Sequence, residues 1–397
     1  MEEKPSRELL KEAHRIVVKL GSRVLVQRSG SPDLRRMKAL VGELAALRKA
    51  GHEVVLVSSG AIACGLEAMG LHRRPDDLPT LQMAAAVGQN RLMAIYDRLF
   101  GEKKCKIGQI LLSHDDLENR QRHLNARQCF LKLLDYGIIP VVNENDVVST
   151  DEIKFGDNDA LASRTAMLLE ADLLVLLTTV NGFRAPDAKG KMRTLGYLAG
   201  VTQETLGHAT SKGSVFSTGG MASKLTAAAE AAHMGTTVVI ANGRKSGVLD
   251  NIISGGRTGT LIPAGAGAQG LNHRRRWVMF FHRPACGVLT VDDGACRALL
   301  QGKKSLLAVG VRQVEGQFAP GDLVEVRNGQ GRRIARGLST YSHLAVQAFQ
   351  GLRSAEIRKR FGRTLPEEII HCENLVLEHE AIETETANEG TKGAKKA

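Results

Sequence analysis

The sequence predicts an α/β protein in two parts. The first is a three-layer αβα sandwich on a mostly parallel sheet, and the second is a small β-rich domain. Three observations carry that reading. Between Arg15 and Ile262, apolar runs alternate with segments of helical period, the pattern of a parallel sheet with helices on both faces. Four of those runs end in Gly, Ser, Thr, Asn or Asp, and parallel strands bring such ends to one edge, where open sheets bind ligands. After Pro263–Gly270 (PAGAGAQG) the texture changes to short β-like runs between turn signals.

Composition bounds the class. The chain has 397 residues, 43% hydrophobic and 24% charged, which suits two soluble domains with sizeable cores. Lys and Arg number 54 against 42 Asp and Glu, a formal charge of +12. That balance favours anionic partners, nucleotides or nucleic acid, without choosing between them. Aromatics are only 4%, few platforms for stacking single-stranded bases. The six cysteines form no CxxC pair and no zinc-finger spacing, so reduced thiols are expected. The start, MEEKPSRELLKEAHR, is charged from its second residue, unlike a secretory signal. No apolar run reaches the roughly eighteen residues of a membrane span. A soluble, cytoplasmic protein is the expectation.

In chain order, Arg15–Leu20 (RIVVKL) reads as a buried strand running into Gly21-Ser22. A lysine inside an apolar strand needs a partner or water, and a following glycine lets backbone amides approach a phosphate. A surface lysine before a turn is the plain alternative. Leu34–Ala50 carries Leu34, Met37, Leu40, Val41, Leu44 and Leu47 at helical spacing, with Gly51 as its stop. Val54–Val57 is a second strand, followed by Ser58-Ser59-Gly60 and a helical AIACGLEAMG. Those serines read either as an ordinary N-cap or as an anion cradle. Pro79–Phe100 is a long helix and Lys106–Leu112 a strand. Asn119–Tyr136 is a helix with Leu124, Cys129, Leu131 and Leu134 inward, and His114 and His123 nearby read as surface or capping residues.

Ile138–Val142 is an apolar strand, after which the chain turns abruptly polar. From Asn143 to Asp159 it offers amides and carboxylates suited to an amino group or a metal. A solvated, turn-rich loop would look the same. Val147–Phe155 is expected to be a mobile cover. Ala160–Glu170 is helical, and Asp172–Leu177 is a strand ending in Thr178-Thr179-Val180-Asn181-Gly182, with Asn-Gly as a turn. Ser217–Met234 places glycines, hydroxyls and Lys224 at a helix start, without Walker spacing. Val238–Ala241 and Thr260–Ile262 complete the first part.

The glycines of PAGAGAQG fit the G-x-G-x-x-G pattern, but no helix follows, so the stretch reads as a linker. Gly287–Val291, Ala308–Val311, Leu323–Val326 and Arg333–Leu338 are expected strands, and Ala295–Gln301 a short helix. Arg274, Arg275, Arg276, Arg327, Arg332, Arg333 and Arg336 make this part basic. The polar tail beyond Leu377 is expected to be disordered.

VVKLGS, VSSGAIACG, QMAAAVGQNRL, HLNAR, PVVNENDVV, EIKFGDND and STGGMASKL, spread from Ile16 to about Leu225, resemble the amino acid kinase family. NEND followed by GDND is the sharpest part. From about Arg276 to Ala345 the chain resembles a PUA domain, a small β-barrel. The resemblance implies a kinase domain over residues 1–262, a linker over 263–273, a PUA-like domain over 274–376 and a tail over 377–397. It implies transfer of the ATP γ-phosphoryl group to the side-chain carboxylate of L-glutamate, the first step of proline synthesis, with Mg2+ on the ATP phosphates and no protein residue assigned to the metal. Feedback inhibition by proline and a homo-oligomer are further implications. By position, Lys19, with Gly21 and Ser22, would serve the phosphates, and Ser59, Asp146 and Asn158 would bind glutamate. Thr178, Thr179, Thr218, Gly219, Gly220, Met221, Ala222, Ser223 and Lys224 would hold nucleotide. Asp159 would orient the two lysines, completing a catalytic set of Lys19, Lys224 and Asp159. The chain departs from the family pattern at Thr179, which stands where an Asp is usual, at Arg184, near a usual Tyr, and at Ala188 after Asp187. Two alternatives stand beside this reading: another phosphotransferase of the same family, and an RNA-binding protein acting through the PUA-like domain.

Overall fold

Apolar runs buried on both faces pair into a covered sheet, because neither side can face water. In the computed structural model, residues 7–27, 29–71, 73–148, 158–187, 189–210, 220–265, 278, 285–301, 304–362 and 365–377 are described. The chain divides into two units, Met1–Gly267 and Ala268–Ala397. In the first, seven strands form one sheet: β1 (Arg15–Leu20), β2 (Glu53–Val57), β3 (Ile107–Leu112), β4 (Ile139–Glu144), β5 (Leu173–Thr178), β8 (Thr237–Asn242) and β9 (Thr260–Ile262). Their order is β3-β4-β2-β1-β5-β8-β9. Every pairing is parallel except β8 with β9. A separate hairpin joins β6 (Arg184–Pro186) to β7 (Met192–Thr194).

One face of the sheet buries Ile16, Val18, Val54, Leu56 and Val175. Against it lie α2 (Leu34–Lys49), α3 (Ala61–Ala68), α4 (Leu78–Gly101) and α10 (Val248–Ile253). The other face meets α7 (Asn158–Leu169), flanked by α6 (Arg120–Asp135) and α9 (Met221–His233). A short α1 (Ser22–Leu25) follows β1, α5 (His114–Glu118) follows β3, and α8 (Gln203–Thr210) precedes α9. The N-caps are chemical: Asp33 accepts from the Arg36 amide, Asp77 from Thr80 and Asn119 from Arg122. Helices α3 and α4 cross so closely that a Cβ on Gly88 would lie 1.8 Å from the Ala61 carbonyl oxygen. One on Gly65 would lie 1.8 Å from that of Ala84.

Several expectations are corrected. Strand β4 runs on through Asn143 and Glu144, which are buried, so the polar stretch starts inside the sheet and not after it. Helix α7 begins at Asn158, not Ala160, because Asn158 and Asp159 are themselves buried in its first turn. On α6, Cys129 is exposed, and Phe130 and His123 take the buried face with Leu134. His123 is therefore no surface residue: its Nδ1 lies 3.1 Å from the Leu117 carbonyl, stitching α5 to α6. The β6–β7 hairpin was not anticipated, since three-residue strands carry almost no periodic signal.

The second unit is strand-rich. β10 (Gly287–Val291), β12 (Val311–Gly316), β13 (Leu323–Arg327), β14 (Arg333–Leu338) and β16 (Leu375–Leu377) form one sheet, and β11 (Leu306–Leu307) pairs with β15 (Glu368–Ile370). Leu289, Val324, Val326 and Ile369 build its core. The strand expected at Ala308–Val311 is a 3-10 turn over Ala308–Gly310, and pairing starts at Val311. Besides α11 (Asp293–Leu300), two unanticipated helices, α12 (His343–Phe349) and α13 (Ser354–Phe361), cover the core. The expected cover loop from residue 149, Thr218, Gly219, Ala188, most of the linker and the tail lie outside the described residues.

Candidate active site

Strands β4, β2, β1 and β5 are neighbours in the sheet and parallel, so the four polar strand ends meet at one edge. Lys19, on β1, faces the α7–α9 side. Its Nζ lies 2.5 Å from Asp159 Oδ1. Lys224, in the first turn of α9, reaches Asp159 Oδ2 at 2.8 Å. All three side chains are buried. Ser223 Oγ donates to the same Asp159 Oδ2 at 3.3 Å. Burial alone would raise the Asp159 carboxyl, but the charges and hydrogen bonds of Lys19 and Lys224 overcome it and hold it at about 2. One carboxylate thus fixes two ammonium groups that arrive from opposite elements.

Next to Asp159 in sequence, Asn158 opens an amide relay. Its Nδ2 donates to the Ser58 carbonyl at 2.6 Å, to Asn143 Oδ1 at 2.8 Å and to Ser59 Oγ at 3.2 Å. Asn143 Nδ2 donates in turn to Gln89 Oε1 at 2.7 Å. Ser58 Oγ and Tyr96 OH share a buried hydrogen bond of 2.7 Å. The N-cap reading of the serines is therefore wrong: Gly60, at φ +102°, is the N-cap of α3 and no side chain caps it. Asp146 stands in the turn just past β4, half-buried. Burial lifts its carboxyl to about 6 against the pull of Arg74. Gln82 Nε2 braces that turn by donating to the Val147 carbonyl at 3.0 Å.

The phosphate side differs from expectation at one point. The Gly21 amide donates to the Leu177 carbonyl at 3.1 Å, so glycine serves there as space: a Cβ would sit 4.0 Å from Lys19 Nζ and 3.2 Å from the Leu177 oxygen. Ser22 starts α1, and Gly220, Met221 and Ala222 start α9 beside Ser223 and Lys224. Thr178 ends β5, and its carbonyl accepts from the Gly243 amide at 2.8 Å. Beyond it Thr179, Asn181, Arg184, Met192, Thr194 and Asn242 line a cavity of about 350 Å3. Two of the three departures from the family pattern, Thr179 and Arg184, thus share one cavity. Asn242 donates to Asn181 at 3.0 Å; the sequence reads Asn181 only as part of a turn and ends the preceding strand at Ala241, short of Asn242.

A model of the amino acid kinase family matches residues 14–242. The chain belongs to the amino acid kinase family. A PUA domain model matches residues 287–361, in the second unit. Among curated amino acid kinases, the glutamate 5-kinase of Geobacter metallireducens is 44% identical over 93% of this chain and 99% of its own length. That of Pelobacter propionicus is 42% identical over 94% and 99%, and that of Paraburkholderia phymatum 43% identical over 94% and 100%. As an amino acid kinase the chain catalyses ATP-dependent phosphoryl transfer. No described helix is long and apolar enough to cross a membrane.

Proposed function

We propose that this amino acid kinase transfers the γ-phosphoryl group of ATP to the side-chain carboxylate of L-glutamate, forming L-glutamyl 5-phosphate for proline synthesis. The observation that carries the reading is the Asp159 carboxylate clamped between Lys19 and Lys224, one residue from the Asn158 relay. Glutamate 5-kinase relatives spanning nearly the whole chain support the choice of substrate. A glutamate carboxyl, with an ordinary pKa of about 4.3, is ionised at neutral pH and needs no general base. The difficulty is bringing an anion against a polyanion, so catalysis rests on positioning and charge. Lys19 and Lys224 hold the transferring group from two sides, and Asp159 keeps both ammonium groups aimed. Ser59 and Asn158 bind glutamate, and Asp146 takes its ammonium group. The cavity past Thr178 takes the nucleoside.

Among the described residues, no group of three or more His, Cys, Asp or Glu could hold a metal, and Asp159 is engaged by two ammonium groups. A protein-held metal does not fit these residues. Mg2+ would arrive coordinated by the ATP phosphates and water. Proline, sharing the amino and α-carboxyl groups of glutamate, would compete at the same site as a feedback inhibitor. The kinase domain would span 1–262, the linker 263–273 and the PUA-like domain 274–376, in a cytoplasmic homo-oligomer. RNA binding is not favoured, since glutamate 5-kinase relatives span nearly the whole chain; among the described basic groups of the second unit, Arg327 and Arg333 pair with Glu325, and Arg312 with Asp292, while Arg274, Arg275 and Arg276 lie outside the described residues. The deciding experiment is ADP release from ATP and Mg2+ with L-glutamate, aspartate or N-acetylglutamate, with hydroxylamine trapping of the acyl phosphate. Release that does not depend on glutamate would sink the proposal.

A further inference from the structure

Helix α4 presents a polar stripe to the substrate side of the site. Gln82, Gln89 and Tyr96 recur at every seventh residue, about two turns apart, and so fall near one face. Each reaches a different part of the wall. Gln82 holds the Val147 carbonyl beside Asp146. Tyr96 holds Ser58, whose carbonyl receives Asn158. Gln89 holds Asn143. Tight crossing at Gly88 and Gly65 locks this helix to α3.

The direction of the relay is set from one end. The Ser58 carbonyl can only accept, so the Asn158 atom 2.6 Å from it is the amide nitrogen. The Asn143 atom facing that nitrogen at 2.8 Å is then the oxygen. This turns the Asn143 nitrogen toward Gln89, whose facing atom must be its oxygen. The relay therefore ends on the Gln89 NH2 group. That nitrogen is buried and has no hydrogen-bond partner. Buried donors are almost always satisfied, so an exception calls for an explanation.

We propose that Gln89 is a further substrate-binding residue, whose Nε2 donates to one oxygen of the glutamate α-carboxylate. The assignment rests on the glutamate kinase reading. The order of the relay selects the α-carboxylate. Asn158 adjoins Asp159 at the reacting end, where the side-chain carboxylate must lie. Gln89 stands two hydrogen bonds further along, beside the strand end that leads to Asp146 and the ammonium group. A neutral donor there holds a carboxylate without adding a third cation to compete with Lys19 and Lys224 for the reacting anions.

The test compares L-glutamate with L-glutamate 1-amide, in which the α-carboxylate is a carboxamide. Gln89→Glu keeps an oxygen toward Asn143 and replaces the donor with a repelling carboxylate. It is expected to raise the glutamate KM ~10- to 100-fold while lowering kcat far less. The preference for glutamate over the 1-amide should shrink by about tenfold or more, because the 1-amide loses less. Gln89→Met removes both polar atoms without adding charge and should shrink the same ratio. Either variant that keeps a cooperative melting transition decides the point. An unchanged preference, with both substrates losing alike, would overturn the assignment. Absence of glutamate-dependent ADP release by the unaltered chain would overturn the kinase reading and this one with it. A loss confined to the variants' substrate preference concerns Gln89 alone.

Discussion

Asp159 is the residue on which the reaction centre depends. Removing either ammonium partner takes away charge stabilisation at the transferring group, so Lys19→Ala or Lys224→Ala should lower kcat by on the order of a hundredfold or more, read by ADP release at saturating substrates. Removing the carboxylate leaves two buried cations facing each other, and Asp159→Ala should cost about 3–5 kcal/mol of folding stability. The pH dependence has a definite sign. The Asp159 carboxyl is depressed from 3.8 to about 2, so its contribution is complete above its unfolded value and drains as pH falls from about 4 toward 2. Urea unfolding at a series of acid pH values measures this. Asp146 behaves oppositely. Raised from 3.8 to about 6, it favours the protonated form when folded, and it loses its charge as pH falls through 6. The glutamate KM should therefore rise as pH drops from 7 to 5, with kcat changing less, and Asp146→Asn should abolish that step while raising KM at neutral pH. A glutamate KM independent of pH over that range would refute the ammonium role.

At the level of elements, local signals and long-range contacts part company. Strands β1, β2, β4 and β5 and their polar ends were legible because apolar runs and the residues that follow them are neighbours in sequence. Lys19 was legible because a charge stood inside such a run. The Asn143–Gln89 bond spans 54 residues and the Asn158–Asn143 bond 15, and no periodicity reports which amide meets which. The serines were ambiguous for a related reason: only the left-handed backbone at Gly60 shows that the cap belongs to glycine and that Ser59 is left for Asn158. The Gln82, Gln89, Tyr96 spacing was visible but is shared by any core helix with polar residues on it. The crossing of α3 and α4 supplies its own prediction. Gly88→Ala places a methyl group against backbone, not against a side chain that could swing away. It should lower stability by about 1–3 kcal/mol, measured as a lower melting temperature, and should raise the glutamate KM, because α4 carries the three braces of the substrate wall.

For the whole molecule, the described residues of the candidate site all lie in Met1–Gly267. A chain ending at residue 267 is expected to retain glutamate-dependent ADP release, and its loss would show that the second unit contributes to turnover. The central strand order has another consequence, one for synthesis. Strand β1 pairs with β5 through Lys19 opposite Leu176, and Lys19 finds Asp159 across 140 residues of chain. Lys224 comes later still. A ribosome adding residues from the N-terminus must therefore release most of the first unit before the two lysines acquire their shared counter-ion. Contacts of such long sequence separation form slowly. Until then a nascent chain carries Lys19 in an otherwise apolar strand, solvated and unpaired with Asp159, and has no phosphoryl-transfer centre. The centre becomes functional only when the sheet around it is complete, so a translation product truncated before Lys224 lacks one of the two lysines and, with residues 220–223 and Asn242 placed so late in the chain, much of the nucleotide wall as well.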